Sequence, residues 1–242
     1  MNTLLTVLEP PELRLEGHLI EKLPAKAKAL LVYVNIEGRA ISRGELESLL
    51  FPQSSAKNIP PLLSKLRQRV SQPYLQEHQR RGVIINVPCD FLNFLKLVRD
   101  RNYKEALLKF PCPSKPHFLP TFEIDSQNFM DWRNDQHNIL NEAYSEALLS
   151  RAHELAKEGQ LKAALQLLKC LQKHDPLFED LYHFVIKLEL EAKNLAAASL
   201  NYIRYQKAFA FYGELEPSFE LKRLLVEMRN AFRQEMRQLA FT

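Results

Sequence analysis

The spacing of apolar positions changes several times along the chain, and each change marks an element. Thr3 to Leu8 is a short apolar run closed by Glu9-Pro10-Pro11, which predicts a strand. Leu13 and Leu15 alternate with charges, Glu16-Gly17 supplies a turn, and His18 to Leu23 is again extended, so a small sheet is expected first. Pro24 opens a helix through Lys26, Lys28, Ala29-Leu30-Leu31-Val32 and Val34, and Gly38 stands at a suitable C′ position to close it. Ser42-Arg43-Gly44-Glu45 has the form of a capping box, so a second helix should start at Ser42, bury Leu46, Leu49 and Leu50, and stop at Phe51-Pro52. A polar turn from Gln53 to Asn58 leads to a third helix, from Pro60-Pro61 to Val70. Prolines fit a first turn, where the missing N–H had no partner. Leu62, Leu63, Leu66 and Val70 share one face of it at helical spacing. Leu75 to Gln79 and Val83 to Val87 read as two strands around Arg80-Arg81-Gly82, a basic wing. A short capped helix, a turn and a second helix with a polar outer face is the helix-turn-helix pattern. With the sheet in front and the hairpin behind, it is a winged helix.

The second half is helical throughout. Phe91, Phe94, Leu95 and Val98 fall on one face of a helix from Asp90, and Asn102 to Phe110 is another. Pro111, Pro113, Pro116 and Pro120 make residues 111–122 a linker, expected to lie on the surface of the fold through Phe118, Leu119 and Phe122. Asp125 or Ser126 caps a long helix reaching about Glu158. An internal repeat follows. Ala164 and Ala198 are 34 residues apart, and at the same shift Leu148 matches Tyr182, Leu168 matches Tyr202 and Leu171 matches Tyr205. That period is the tetratricopeptide one. Gly159 turns and Asp175-Pro176 ends the first unit, whereas the second, near Glu179 to Ala210, carries Lys193 and Ala210 where Gly and Pro would be. A fragment lies earlier, where Leu97, Ala106 and Phe110 echo Leu155, Ala164 and Leu168. Pro217 to about Gln238 is an amphipathic helix able to cap the stack. The expected fold is mainly α: a winged helix-turn-helix with a small β-sheet and wing over residues 1–89, then an α-helical tetratricopeptide-like solenoid over 90–242.

Charge sharpens the first half. The net charge of +4 over 242 residues permits nucleic-acid binding without requiring it, but between Lys57 and Arg81 six cations face the single acid Glu77. Ser64, Lys65 and Gln68 project away from the apolar face and are the expected base contacts. Lys57, Arg67 and Arg69 are the expected phosphate contacts, with an ion pair to Glu45 or Glu47 as a rival role for Arg67. Arg80 and Arg81, at the wing tip, would enter the minor groove or grip its phosphates.

Other chemistry is excluded or left to packing. Trp132 and the aromatics Tyr182, Phe184, Tyr202, Tyr205, Phe209, Phe211 and Tyr212 read as packing residues. The seven histidines show no metal-ligand spacing, and there is neither a nucleophile turn nor a Gly-rich loop, so no enzyme, no metal and no cofactor is expected. Cys89, Cys112 and Cys170 are scattered and odd in number, which suits reduced thiols packing as small hydrophobes. Met1-Asn2-Thr3-Leu4 lacks a basic n-region and no apolar run approaches a membrane span, so a cytoplasmic protein without a membrane partner is expected.

Several stretches together resemble the SARP-type bacterial transcriptional activators, which join an OmpR-like winged helix to a bacterial transcriptional activator domain of tetratricopeptide repeats. Leu23 to Leu31 looks like that family's first helix, Gly38 to Leu46 like the start of its second, and Ser64-Lys65-Leu66-Arg67-Gln68-Arg69-Val70 is similar to the end of its recognition helix. Phe129-Met130-Asp131-Trp132-Arg133, His174 to Glu179 and Gly213 to Ser218 match further signatures in order. Phe51 stands where the family often has tryptophan, and Val83 where an aromatic is usual. The resemblance implies an activator that binds double-stranded promoter DNA. Its repeat domain would contact a partner protein, a second protomer as a homodimer, or RNA polymerase, the last on the resemblance alone. The alternative is a protein-interaction scaffold whose winged helix no longer binds DNA. The charge cluster favours the first; Pro60-Pro61 and the modest net charge favour the second.

Overall fold

Three short strands, β1 (Leu4–Thr6), β2 (Glu12–Leu15) and β3 (His18–Leu19), form an antiparallel meander in that order, with Leu5 opposite Leu13 and Arg14 opposite Leu19. The computed structural model describes residues 4–8, 12–15, 18–19, 23–53, 58–70, 74–78, 82–111, 115–174, 179–210 and 218–239. β1 is shorter than its apolar run for a visible reason. The N–H groups of Val7 and Leu8 donate to the Asp90 carboxylate, at 2.9 and 3.1 Å, instead of to a neighbouring strand.

Helix α1 (Ala25–Glu37) is the centre of the winged helix, with every side chain from Ala29 to Asn35 buried. Gly38 ends it in the left-handed conformation at φ 63°, as its C′ position requires. α1 packs against α2 (Arg43–Leu50), α3 (Ile59–Arg67) and the second strand of the hairpin β4 (Leu75–His78) and β5 (Gly82–Ile85). β4 starts at Leu75 as expected, with Gln79 outside the described residues, while β5 ends before the expected Val87 and takes in Gly82, which belongs to a strand rather than to the loop. Past β5 the Asn86 N–H still donates to the Tyr74 carbonyl at 2.9 Å, and the peptide groups of Val87 then turn inward. Asn35 donates its amide to the Val87 carbonyl (3.0 Å) and accepts from the Val87 N–H (2.6 Å), all buried. A third segment pairs at the other edge. Ile41 and Val83 exchange backbone hydrogen bonds of 2.9 Å each way. Gly82 makes this approach feasible: its φ is +104°, and a Cβ there would lie 2.1 Å from the Ile41 carbonyl oxygen.

Among the described residues seven further helices follow: α4 (Asp90–Arg99), α5 (Tyr103–Lys109), α6 (Gln127–Lys157), α7 (Leu161–His174), α8 (Glu179–Glu191), α9 (Leu195–Ala210) and α10 (Phe219–Leu239). The chain divides into two compact units, Met1–Asn102 with Ser114–Tyr144, and Tyr103–Pro113 with Ser145–Thr242. In the first, the later part of the proline-rich segment is packed in rather than laid on the surface: Phe118 and Leu119 are buried, and the Leu119 N–H donates to the Val7 carbonyl at 2.7 Å.

The second unit repeats a turn. Gly159 (φ 74°) and Lys193 (φ 58°), 34 residues apart, both adopt the left-handed conformation. The following residues, Gln160 and Asn194, donate backwards to the carbonyls of Leu155 and Glu189 at 2.8 Å each. Of the residue pairs matched by the 34-residue shift, Leu148 and Tyr182, Ala164 and Ala198, and Leu171 and Tyr205 are all buried, whereas Tyr202 is only half-buried where Leu168 is in the interior. The same turn occurs in the first unit at Arg101 (φ 59°), where Asn102 donates to Leu97. α10 closes on α8 and α9 through a core of Tyr182, Ile186, Ala198, Tyr205, Leu221 and Leu224. Cys170 is disulfide-bonded, so the expectation of reduced thiols holds for Cys89, which is free and buried, and fails for Cys170; Cys112 lies outside the described residues.

Candidate nucleic-acid interface

α3 separates its faces cleanly. Ile59, Leu62, Leu63 and Leu66 are buried, while Pro60, Pro61, Ser64, Lys65 and Arg67 are exposed. Ile59 is the first helical residue, and both prolines sit in the first turn, where no intrahelical donor is lost. The helix is shorter than expected. It ends at Arg67, and Arg69 and Val70 both donate to the Leu66 carbonyl, at 2.9 and 2.7 Å. That tight turn brings Val70 back into the core and leaves Gln68 and Arg69 exposed just past the helix end rather than on it.

Arg67 is engaged, though not by Glu45 or Glu47. Its guanidinium donates from Nε (2.6 Å) and Nη2 (2.5 Å) to one carboxylate oxygen of Glu77 on β4. The other oxygen of Glu77 faces Arg43 Nη2 at 3.5 Å. Arg43 is a residue that sequence reasoning missed. A signal existed: an arginine at the first position of α2 sits against the positive end of the helix dipole, so another group has to hold it. Ser64, Lys65, Gln68, Arg67, Arg69 and Arg43 are the cations and polar groups that the described residues bring to this surface. Lys57, Arg80 and Arg81 lie outside them.

A second network braces the helix-turn-helix from behind. Ser42 Oγ accepts from the Glu45 N–H at 3.2 Å, which is half of the expected capping box. The Glu45 carboxylate does not complete it because it is occupied elsewhere, accepting from Arg39 (2.5 and 3.1 Å) and from the Tyr33 hydroxyl (3.0 Å). Donation from Arg39 holds the Glu45 carboxyl below its usual range, and burial together with Glu45 pushes Tyr33 up to about 12.

The last carbonyls of α2, which a helix leaves without partners, are capped by side chains. Asn128 donates to Ser48 (2.8 Å), Ser126 to Leu49, and Lys26 to Leu50 (2.8 Å). Lys26 also lies 4.1 Å above the Phe51 ring. Trp132 packs as its sequence context suggests. It meets Tyr33, Phe118 and Phe129 with ring centroids 5.0, 5.8 and 5.4 Å away, and its Nε1 donates to Glu37 at 3.0 Å. Among the described residues there is no group of three or more His, Cys, Asp or Glu placed to hold a metal, and no helix long and apolar enough to cross a membrane.

No family model matches the chain, and no curated protein matches it. A winged helix-turn-helix followed by packed helices is nevertheless a known arrangement. The chain is similar to Mycobacterium tuberculosis EmbR, solved in complex with a low affinity phosphopeptide, with a TM-score of 0.71 at 16% identity over 96% of this chain. The match spans 65% of the EmbR chain. At that identity the likeness is one of fold.

Proposed function

We propose that this protein is a sequence-reading, double-stranded DNA-binding transcriptional regulator of the SARP type, acting as an activator in the cytoplasm. One observation carries the reading: an exposed run of Ser64, Lys65, Gln68 and Arg69 at the end of a helix whose opposite face is buried in the core. A recognition helix needs that division, since its inner face fixes its angle and its outer face meets base edges in the major groove. Lys65, Ser64 and Gln68 would read bases, and Arg69, Lys57, Arg80 and Arg81 would hold phosphates. Arg67 and Arg43 would do so only when released from Glu77. The helical unit would make the protein contacts, with RNA polymerase or a second protomer as partners. The fold shared with EmbR supports the arrangement.

The test is duplex binding by fluorescence anisotropy, with the chain's own upstream DNA and a scrambled control across a salt series. Preference for the upstream duplex that persists at physiological salt supports a sequence reader. No binding even at low salt rejects the proposal. Lys65→Ala should weaken binding at particular base pairs by about 1–3 kcal/mol. Arg69→Ala or Arg80→Ala should weaken it on every sequence and flatten the salt dependence.

A further inference from the structure

Helix α10 carries two kinds of surface. Leu221 and Leu224 are buried in the core with Tyr182 and Tyr205, and Met228 packs against them. A helix advances roughly 100° per residue. By that register Phe219, Lys222, Val226, Arg229, Arg233 and Arg237 fall in one sector of roughly 80°, recurring at intervals of three and four. All six are exposed. Phe219 and Val226 are 78% and 56% exposed, large apolar side chains left in water. The glutamate positions 220, 227 and 235 all fall outside this sector, and Glu227 pairs with Arg223 (3.6 Å) rather than with the strip.

Ordinary solvation accounts for scattered cations, but not for this order. Arg229, Arg233 and Arg237 stand four residues apart, a spacing at which like charges destabilise a helix and a glutamate would stabilise it. Among the described residues none of the three has an ion-pair partner. Two exposed apolar side chains lie in the same strip. Both features lose free energy in the isolated chain and regain it against one kind of surface.

We propose that this strip of α10 docks an acidic, amphipathic helical segment of another protein. Two apolar side chains of that segment would cover Phe219 and Val226, and carboxylates would meet the three guanidinium groups in paired hydrogen bonds. Other occupants fit less well. Leu221, Leu224 and Met228, on the apolar side of α10, are already packed into the core, so that side is not free to enter a lipid surface. A second copy of the strip would set arginine against arginine. Nucleic acid would satisfy the arginines and leave Phe219 and Val226 uncovered. The proposal rests on the reading of the helical unit as the protein-contacting part, and it does not require the winged helix to bind DNA.

The test uses the full chain and a fluorescein-labelled synthetic helical peptide of glutamate and leucine, with leucines at alternating intervals of three and four. The chain should bind it. Arg229→Gln, Arg233→Gln and Arg237→Gln together should weaken binding by about tenfold or more, as expected for three exposed charge pairs. Phe219→Ser with Val226→Ser should weaken it several-fold. Neither variant should lower the melting temperature or change duplex binding. Unchanged peptide affinity in the triple variant overturns the proposal. So does equal binding of a peptide with serine in place of leucine, which reduces the strip to bare charge. Loss of duplex binding or of self-association in the triple variant, with peptide binding spared, assigns the strip to DNA or to a second copy instead.

Discussion

Glu77 sits between two arginines of the helix-turn-helix, taking two donors from Arg67 with one oxygen and facing Arg43 with the other. Both arginines are more than half exposed, and Glu77 is only 19% exposed. The acid thus neutralises part of the surface proposed to meet DNA. Glu77→Gln should raise duplex affinity and steepen its salt dependence, with log K against log salt gaining about 0.9 in slope for each phosphate newly held. The gain should be larger on scrambled DNA than on the chain's own site, because freed arginines grip phosphates without reading bases. Anisotropy titrations over a salt series decide it. An unchanged slope would remove Arg67 and Arg43 from the DNA surface.

Asn35 acts as a backbone mimic, pairing with both peptide groups of Val87 inside the core. Replacing it with leucine keeps the volume and leaves a buried donor and a buried acceptor unmatched. Asn35→Leu should destabilise the chain by about 2–4 kcal/mol. Urea unfolding followed by circular dichroism gives the value.

Gly82 is where the wing meets the backbone of Ile41. Its positive φ and the nearness of the Ile41 carbonyl leave no room for a side chain. Gly82→Ala should cost about 2–4 kcal/mol and break the Ile41–Val83 pairing. Hydrogen exchange at the Val83 amide should accelerate before the core opens. Gly38→Ala, where nothing lies near the added carbon, should cost less.

Much of this fold was legible because its signals are local. Gly38, Ser42 and the Leu62-Leu63-Leu66 spacing act within a turn or two of themselves, and the 34-residue shift is written directly in the sequence. The outward direction of Ser64 and Lys65 follows from the same spacing. What could not be read is held by partners far away in the chain. Asn35 answers Val87 and Asp90 answers Val7, 52 and 83 residues away, and Arg67 turns to Glu77 on the wing strand instead of to either glutamate of α2. No periodicity records such pairs. The early end of β1 shares that cause, since Asp90 claims its next peptide N–H.

Lys193 makes the repeat turn with a residue suited poorly to it. A left-handed conformation strains a side chain that glycine would not have, as Gly159 illustrates one period earlier. Lys193 is exposed, so its replacement disturbs no packing. Lys193→Gly should stabilise the chain by about 0.5–1 kcal/mol, visible as a higher melting temperature.

His137 Nδ1 accepts from the Phe118 N–H at 3.4 Å, and its ring stacks on His117 at 5.5 Å. Burial, then His117, Lys115 and Arg133, holds its pKa below the ordinary 6.5. A depressed base favours the folded state above its unfolded pKa and loses that advantage as pH falls through the folded one. Stability should therefore decline on acidification below about pH 6.5. His137→Gln should flatten the decline. A melting series from neutral to mildly acid pH separates the two.

The capped end of α2 has a consequence for synthesis. Ser48 and Leu49 find their donors in Asn128 and Ser126, close to 80 residues downstream. A ribosome has therefore released α1, α2, α3 and the wing long before the groups that fasten the helix-turn-helix leave the exit tunnel. Until then the Ser48 and Leu49 carbonyls lack these donors, and only the Leu50 carbonyl has its partner, Lys26, already in the chain. The helix-turn-helix is fully fastened only when the front of α6 arrives, so a chain stalled ahead of it would carry every residue proposed to touch DNA without that brace.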